Sequence, residues 1–311
     1  MHSEYAVEPS AIGSDWSTFR YLIEKFGFDK GRLISRFPSR WERKVVAAAK
    51  DANLTDIQIS SIIERLKGTK KARVFDLGRD FENGVDWTDN VLREHAKRAF
   101  RGIIFANKPT GCPEALTADE CDDEQSLFKV SSSRNVSRVA DEISEALLLL
   151  LAPATEIDVV DPFFDLRPSK GDFLGPIAAL LAKLSDAGFS TKTLRIHYRA
   201  HDSRPPDYLV ARDAPDLTAG LIPPGFKLQL FEWEKIEGGK DFHDRFVLTN
   251  FGGIQIGIGP AAAEASQDTT FTLLDDDHAQ ELRARFEKDA TVYNRIGNVI
   301  EVDSFGDSTL L

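Results

Sequence analysis

The stretch "GGKDFHDRFVLTNFGGIQIGIGP", Gly238 to Pro260, holds the residues best suited to chemistry. His243 and Arg245 stand two apart at the head of an apolar run. In a strand, residues two apart share a face, so an imidazole and a guanidinium would project side by side. Arginine can hold two phosphate oxygens at once. Histidine can attack phosphorus or pass a proton near neutral pH. The pair suits phosphodiester chemistry or plain phosphate binding. The alternative is an ordinary strand histidine, with Arg245 paired to Asp241 or Glu234.

Other polar sets accompany it. "DVVDPFFD" carries Asp158, Asp161 and Asp165. An aspartate at the carboxyl end of a strand lies where α/β sheets bind ligands, so Asp161 could border the site. A divalent cation would need more convergent oxygens, and no metal or cofactor is expected. "RIHYRAHD" places Arg195, His197, Arg199 and His201 on one strand face. Arg199 and His201 are nearest its carboxyl end and are the better binding candidates. The glycines of "GGIQIGIG", Gly257 among them, lack the pattern of a phosphate loop and read as hairpin turns and close packing.

These residues need elements to position them. From about residue 155 strands alternate with helices: "TEIDVVD", "KTLRIHYRA" and "FKLQLFEWE" as strands, "GDFLGPIAALLAKLSDAG" and part of "PPDYLVARDAPDLTAG" as helices. That rhythm predicts a mostly parallel sheet covered on both faces, closed by an antiparallel pair and a final amphipathic helix over "DDDHAQELRARFEKDATVYN". The first half reads differently. Residues 1–13 are expected to be a flexible tail. Three helices follow, capped by Ser14, Ser39 and Thr55, and a helix-turn-helix is one reading of them. "DWTDNVLREHAKRAF" adds another helix, "GIIFAN" a strand, and "SRNVSRVADEISEALLLLLAP" a helix leading into the second half. The expected organisation is a mainly helical domain over 14–150, an α/β domain over 151–299 and a tail over 300–311.

Order and spacing in the second half resemble the phospholipase D superfamily. Its pattern is His-x-Lys-x4-Asp, followed about six residues later by Gly-Ser-x-Asn. Here His243, Arg245 in place of Lys and Asn250 in place of Asp keep the spacing. Gly257 then stands at the glycine, Ile258 at the serine and Pro260 at the asparagine. The stretch is also similar to the phospholipase-D-like C-terminal domain of some MIT-domain proteins, which is thought to bind membranes. The resemblance implies a phospholipase-D-like α/β/α sandwich and a metal-independent phosphodiesterase with His243 as nucleophile or acid. It implies Arg245 as phosphate clamp and a structural role for Asn250. Family members with one motif pair two chains, so it also implies a homodimer. The substitutions leave a second reading open: an inactive domain that binds phosphate, a membrane or a protein.

Charge and composition narrow the partners. The net charge of -11 excludes a protein basic throughout. Arg20 to Arg73 nevertheless holds more than twice as many Lys and Arg as Asp and Glu, so this basic N-terminal region could meet nucleic acid. The acidic remainder disfavours an anionic membrane. "ALLLLLAPA", the longest apolar stretch, is too short to span a bilayer, so no integral membrane segment is expected. Cys112 and Cys121, without nearby histidines, read as thiols in a reducing cytoplasm. A nuclease of a bacterial antiviral system, with a protein partner from the same operon, is the setting this combination suggests.

Overall fold

A computed structural model describes residues 1–69, 73–287 and 290–311. The chain has an α/β fold and divides into two compact units, Met1–Ser132 and Ser133–Leu311.

The first unit is built on a parallel sheet rather than on helices alone. Its strands are β1 (Ser3–Val7), β2 (Arg32–Ser35), β3 (Val74–Phe75), β4 (Gly102–Ile104) and β5 (Ala115–Leu116), in the order β3-β2-β1-β4-β5. The residues expected as a tail thus form the central strand. Parallel neighbours need crossovers, and α1 (Pro9–Gly13), α2 (Trp16–Ile23), α3 (Trp41–Asp51), α4 (Asp56–Thr69) and α5 (Trp87–Lys97) supply them. The three expected helices are therefore connections between strands, not a separate bundle. Asp15, not Ser14, caps α2, accepting from Thr18 N at 2.7 Å. Arg40 stands at the start of α3 with no side-chain cap. Thr55 and Gln58 do form the reciprocal cap of α4. Tyr5, Phe19, Leu22, Phe26, Trp41 and Phe128 fill the core. Trp41 places its one polar atom on Val7 O, at 2.6 Å, as a buried indole must.

The second unit begins earlier than expected, with β6 (Ser133–Ser137) ahead of α6 (Ala140–Leu151). There follow β7 (Glu156–Val160), α7 (Leu174–Asp186), β8 (Lys192–Arg199), α8 (Asp207–Leu217) and β9 (Phe226–Lys235). The chain continues through β10 (Phe246–Leu248), β11 (Gly253–Ile256), β12 (Asp268–Leu273), α9 (Asp276–Ala284), β13 (Tyr293–Asp303) and β14 (Ser308–Leu310). The nine-stranded sheet runs β14-β13-β9-β8-β7-β10-β11-β12-β6. Only β7, β8 and β9 pair in parallel; the remaining pairs are antiparallel. The closing helix stops at Ala284, well short of its expected end, and part of the expected stretch (288–289) lies outside the described residues. The expected C-terminal tail is instead the end of β13 and all of β14. Val160, Trp233, Phe246, Leu248, Leu282 and Phe286 pack between the sheet and α9.

Candidate functional site at the carboxyl end of the parallel strands

Topology brings distant residues to one end of the second sheet. β7 delivers Asp161 at its carboxyl end, and β8, parallel to it, delivers Arg199. β10 runs antiparallel to β7 with Phe246 opposite Val160, so Arg245 arrives beside Asp161. β11 turns back along β10 and returns Gly257 to the same place, where Arg245 Nη1 donates to Gly257 O at 3.2 Å.

Residues 241–245 are not in the strand. Beyond Asp161, whose N–H bonds His197 O at 3.0 Å, Pro162 has no N–H to give and turns its carbonyl to Arg199 N at 3.3 Å, so β7 offers no further ladder to the chain ahead of Phe246. His243 and Arg245 consequently stand at the strand's mouth rather than on its pleat. His243 is 60% exposed, and its Nε2 lies 2.9 Å from Asp241 Oδ2. Asp241 Oδ1 also lies 3.5 Å from Arg199 Nη1. The half-exposed ring of Phe163 lies near both guanidinium groups, 4.8 Å from that of Arg245 and 5.9 Å from that of Arg199. Both are within cation–π range.

Asp161 is buried beneath this surface. Its Oδ1 accepts from Phe163 N at 2.9 Å and lies 3.8 Å from Arg245 Nε. Burial pushes its carboxyl up to about 6, against the opposing pull of the Phe163 N–H, Arg245 and Arg204. Gly259, at φ 97°, closes over the pair: a Cβ there would lie 2.7 Å from Asp161 Oδ2 and 3.0 Å from Arg245 Cδ.

The expected site residues divide accordingly. His243, Arg245, Asp161, Arg199 and the backbone of Gly257 gather at one end. Asn250 does not: it lies at the other end of β10, exposed in the turn that Thr249 organises by accepting from Phe251 N and Gly252 N. Asn250, expected beside the catalytic pair from the motif's spacing, is therefore not part of the site and could serve only the turn. His201 spends its Nδ1 on Ser203, with Oγ at 2.8 Å, and holds the local turn after β8. Phe163, Asp241 and Gly259 were not anticipated. An aromatic just beyond a strand-end Asp-Pro, and an acid two residues before His243, were the available signals.

The three aspartates of "DVVDPFFD" do not form one carboxylate set. Asp165 pairs with Arg167 through Nε at 2.9 Å and Nη2 at 2.7 Å. Asp158 is buried under α9, where Arg195 Nε (2.6 Å), His197 Nε2 (2.9 Å) and Arg283 Nε (2.8 Å) surround it. Burial alone would raise its pKa, but the bonds from His197 and Arg195 outweigh burial and hold the carboxyl well below the usual range. His197 and Arg199, which repeat the His-x-Arg spacing of His243 and Arg245, are thus split, His197 serving the core and Arg199 the site.

No protein-family model matches the chain, and no curated protein matches it. Among solved structures, the chain is similar to TrmBL2, an archaeal chromatin protein whose structure shows a novel mode of DNA binding. The two are 12% identical over 83% of this chain and 72% of that one, with a TM-score of 0.28. A likeness at that level carries no argument about fold or function. Among the described residues no helix is long and apolar enough to cross a membrane.

Proposed function

We propose that the second unit is a phospholipase-D-like domain and that the chain is a metal-independent phosphodiesterase acting as a homodimer. One observation carries the reading: Arg199, Arg245 and the His243–Asp241 pair meet around an exposed aromatic ring at the carboxyl end of the parallel strands. The guanidinium groups can clamp phosphate oxygens and stabilise charge that develops on them. The Phe163 ring offers a face on which a base can stack, which favours nucleic acid as the substrate class. Asp241 orients the imidazole and stabilises its cation. With Nε2 turned to Asp241, the Nδ1 lone pair is the one available to attack phosphorus. The P–O bond to the leaving oxygen then breaks and a phosphohistidine forms. Protonation of that oxygen falls to His243 of the partner subunit, and water afterwards cleaves the P–N bond.

The test is cleavage of labelled DNA, labelled RNA and bis-(p-nitrophenyl) phosphate in EDTA, comparing the wild-type chain with His243→Ala. Loss of about 10³-fold or more is expected, the scale on which a covalent nucleophile is missed. Turnover unchanged by the substitution would remove His243 from the reaction. The second reading, phosphate binding without cleavage, is favoured by the altered polar supports of the motif, with Asn250, Ile258 and Pro260 where the family has Asp, Ser and Asn. It predicts phosphate binding that needs Arg245, with no turnover in any assay.

A further inference from the structure

The cations of the first unit are mostly spoken for. Arg36 lies against Glu42, Arg65 and Arg73 against Glu24, and Arg79 against Glu4. One helix face stands out among the described residues. Arg40, at the start of α3, and Arg43, Lys44 and Lys50 within it are all exposed. None of the four takes part in a salt bridge or a side-chain hydrogen bond among the described residues. At 100° per residue they fall on one stripe with the exposed Ala47 at its centre. The one acid on the stripe is Asp51, at its end. The opposite face, Trp41, Val45 and Ala49, is buried in the core, so the stripe is held rigidly outward.

We propose that this face of α3 is a docking surface for the phosphate backbone of nucleic acid. Ten residues of helix span about 15 Å, roughly four nucleotides of axial rise at ~3.4 Å each. The small side chain of Ala47 lets a backbone approach between the flanking charges. A membrane-binding helix needs large apolar residues beside its cations. Here the apolar residues of α3 face inward, and no large exposed hydrophobic residue belongs to it. Charge complementarity along a fixed line therefore selects a polyanion of regular spacing over a lipid surface.

The proposal deepens the reading above by naming how a nucleic-acid substrate is recruited, and its test separates the two. Binding of a labelled 20-base-pair DNA duplex is measured across a salt series in the His243→Ala background. The comparison is with the same chain carrying Arg40→Gln, Arg43→Gln, Lys44→Gln and Lys50→Gln. The quadruple variant should bind at least about tenfold more weakly, with a log–log salt slope shallower by nearly one unit per lost contact. Lys97→Gln with Lys108→Gln, two cations paired in the fold, should change the slope little. Circular dichroism confirms that each variant is folded. Unchanged duplex affinity, an equal loss in the paired-cation control, or binding to phosphatidylserine vesicles but not to duplex overturns the proposal. With His243 restored, the quadruple variant should cleave bis-(p-nitrophenyl) phosphate at the wild-type rate. If neither chain cleaves it, the phosphodiesterase reading fails while the docking surface stands.

Discussion

Trp233 Nε1 donates to His197 Nδ1 across 3.1 Å, and that bond decides which nitrogen of the imidazole carries the proton. An indole can only donate, so Nδ1 must accept. Nε2 then bears the hydrogen and gives it to Asp158 Oδ1. Burial lowers the His197 pKa, which keeps the ring neutral despite its carboxylate neighbour. Trp233→Phe leaves a buried acceptor unmet, at a cost of about 1–3 kcal/mol. Urea denaturation reads the loss. Nitrogen chemical shifts of His197 should report the Nδ1-acceptor tautomer in the wild type; the reverse tautomer would refute the assignment.

Asp158 carries more weight, since Arg195 and Arg283 both depend on it. Asp158→Asn leaves two guanidinium groups short of a partner beneath α9. The expected destabilisation is about 3 kcal/mol, toward the lower end for breaking a buried pair, because Glu156 and Glu287 remain nearby. The pH dependence has a definite sign. The folded pKa lies below the unfolded one, so the stabilisation is present above about pH 4 and is lost as pH falls toward the folded value. Calorimetric midpoints of wild type and variant should converge in acid.

Asp161 has the opposite sign. Its folded pKa of about 6 lies above the unfolded value. Its contribution is fully present below about pH 4 and is lost as pH rises through about 6. Asp161→Asn removes that loss and should be more stable than the wild type at pH 8, by about 1–3 kcal/mol, with little difference at pH 4. Denaturation curves that stay parallel between the two pH values would contradict this.

Gly259→Ala tests the cover over Asp161 and Arg245. The left-handed backbone costs an alanine about 1–2 kcal/mol, and the new methyl group would collide with both side chains. Stability should fall by about 2–3 kcal/mol in total. Arg245 must then move from Gly257 O, so inorganic phosphate should bind several-fold more weakly, as isothermal titration would show. Destabilisation with unaltered phosphate affinity would mean that Gly259 shapes the backbone but not the site.

Much of the second unit could be read from its sequence, because β7, β8 and β9 are long or strongly apolar and are separated by helices with clear stops. Asp161, Arg199, Arg245 and Gly257 followed, since strand order sends them to one end. Two kinds of information were not readable. β1 to β5 contain between two and five residues each, too few for periodicity to stand out against neighbouring helices, so the sheet of the first unit went unseen apart from "GIIFAN". Pairing was the second. Nothing local in "DFHDR" says that the ladder of β7 stops at Pro162, or that Asp241 takes His243 and Arg199 rather than Arg245. Asn250 kept the right spacing in the chain but occupies the wrong end of a three-residue strand.

The strand order of the second sheet has a practical corollary. β6, its first strand, and β14, its last, are the two outermost strands. A fragment started at residue 151, where composition alone would place the cut, would shed β6 and nearly all of α6. It would leave one edge of β12, from Asp268 to Thr272, without its partner strand and expose the apolar side of α7 to water. Unprotected strand margins of that kind recruit other chains, so recombinant work on this half should keep Ser133 and everything after it.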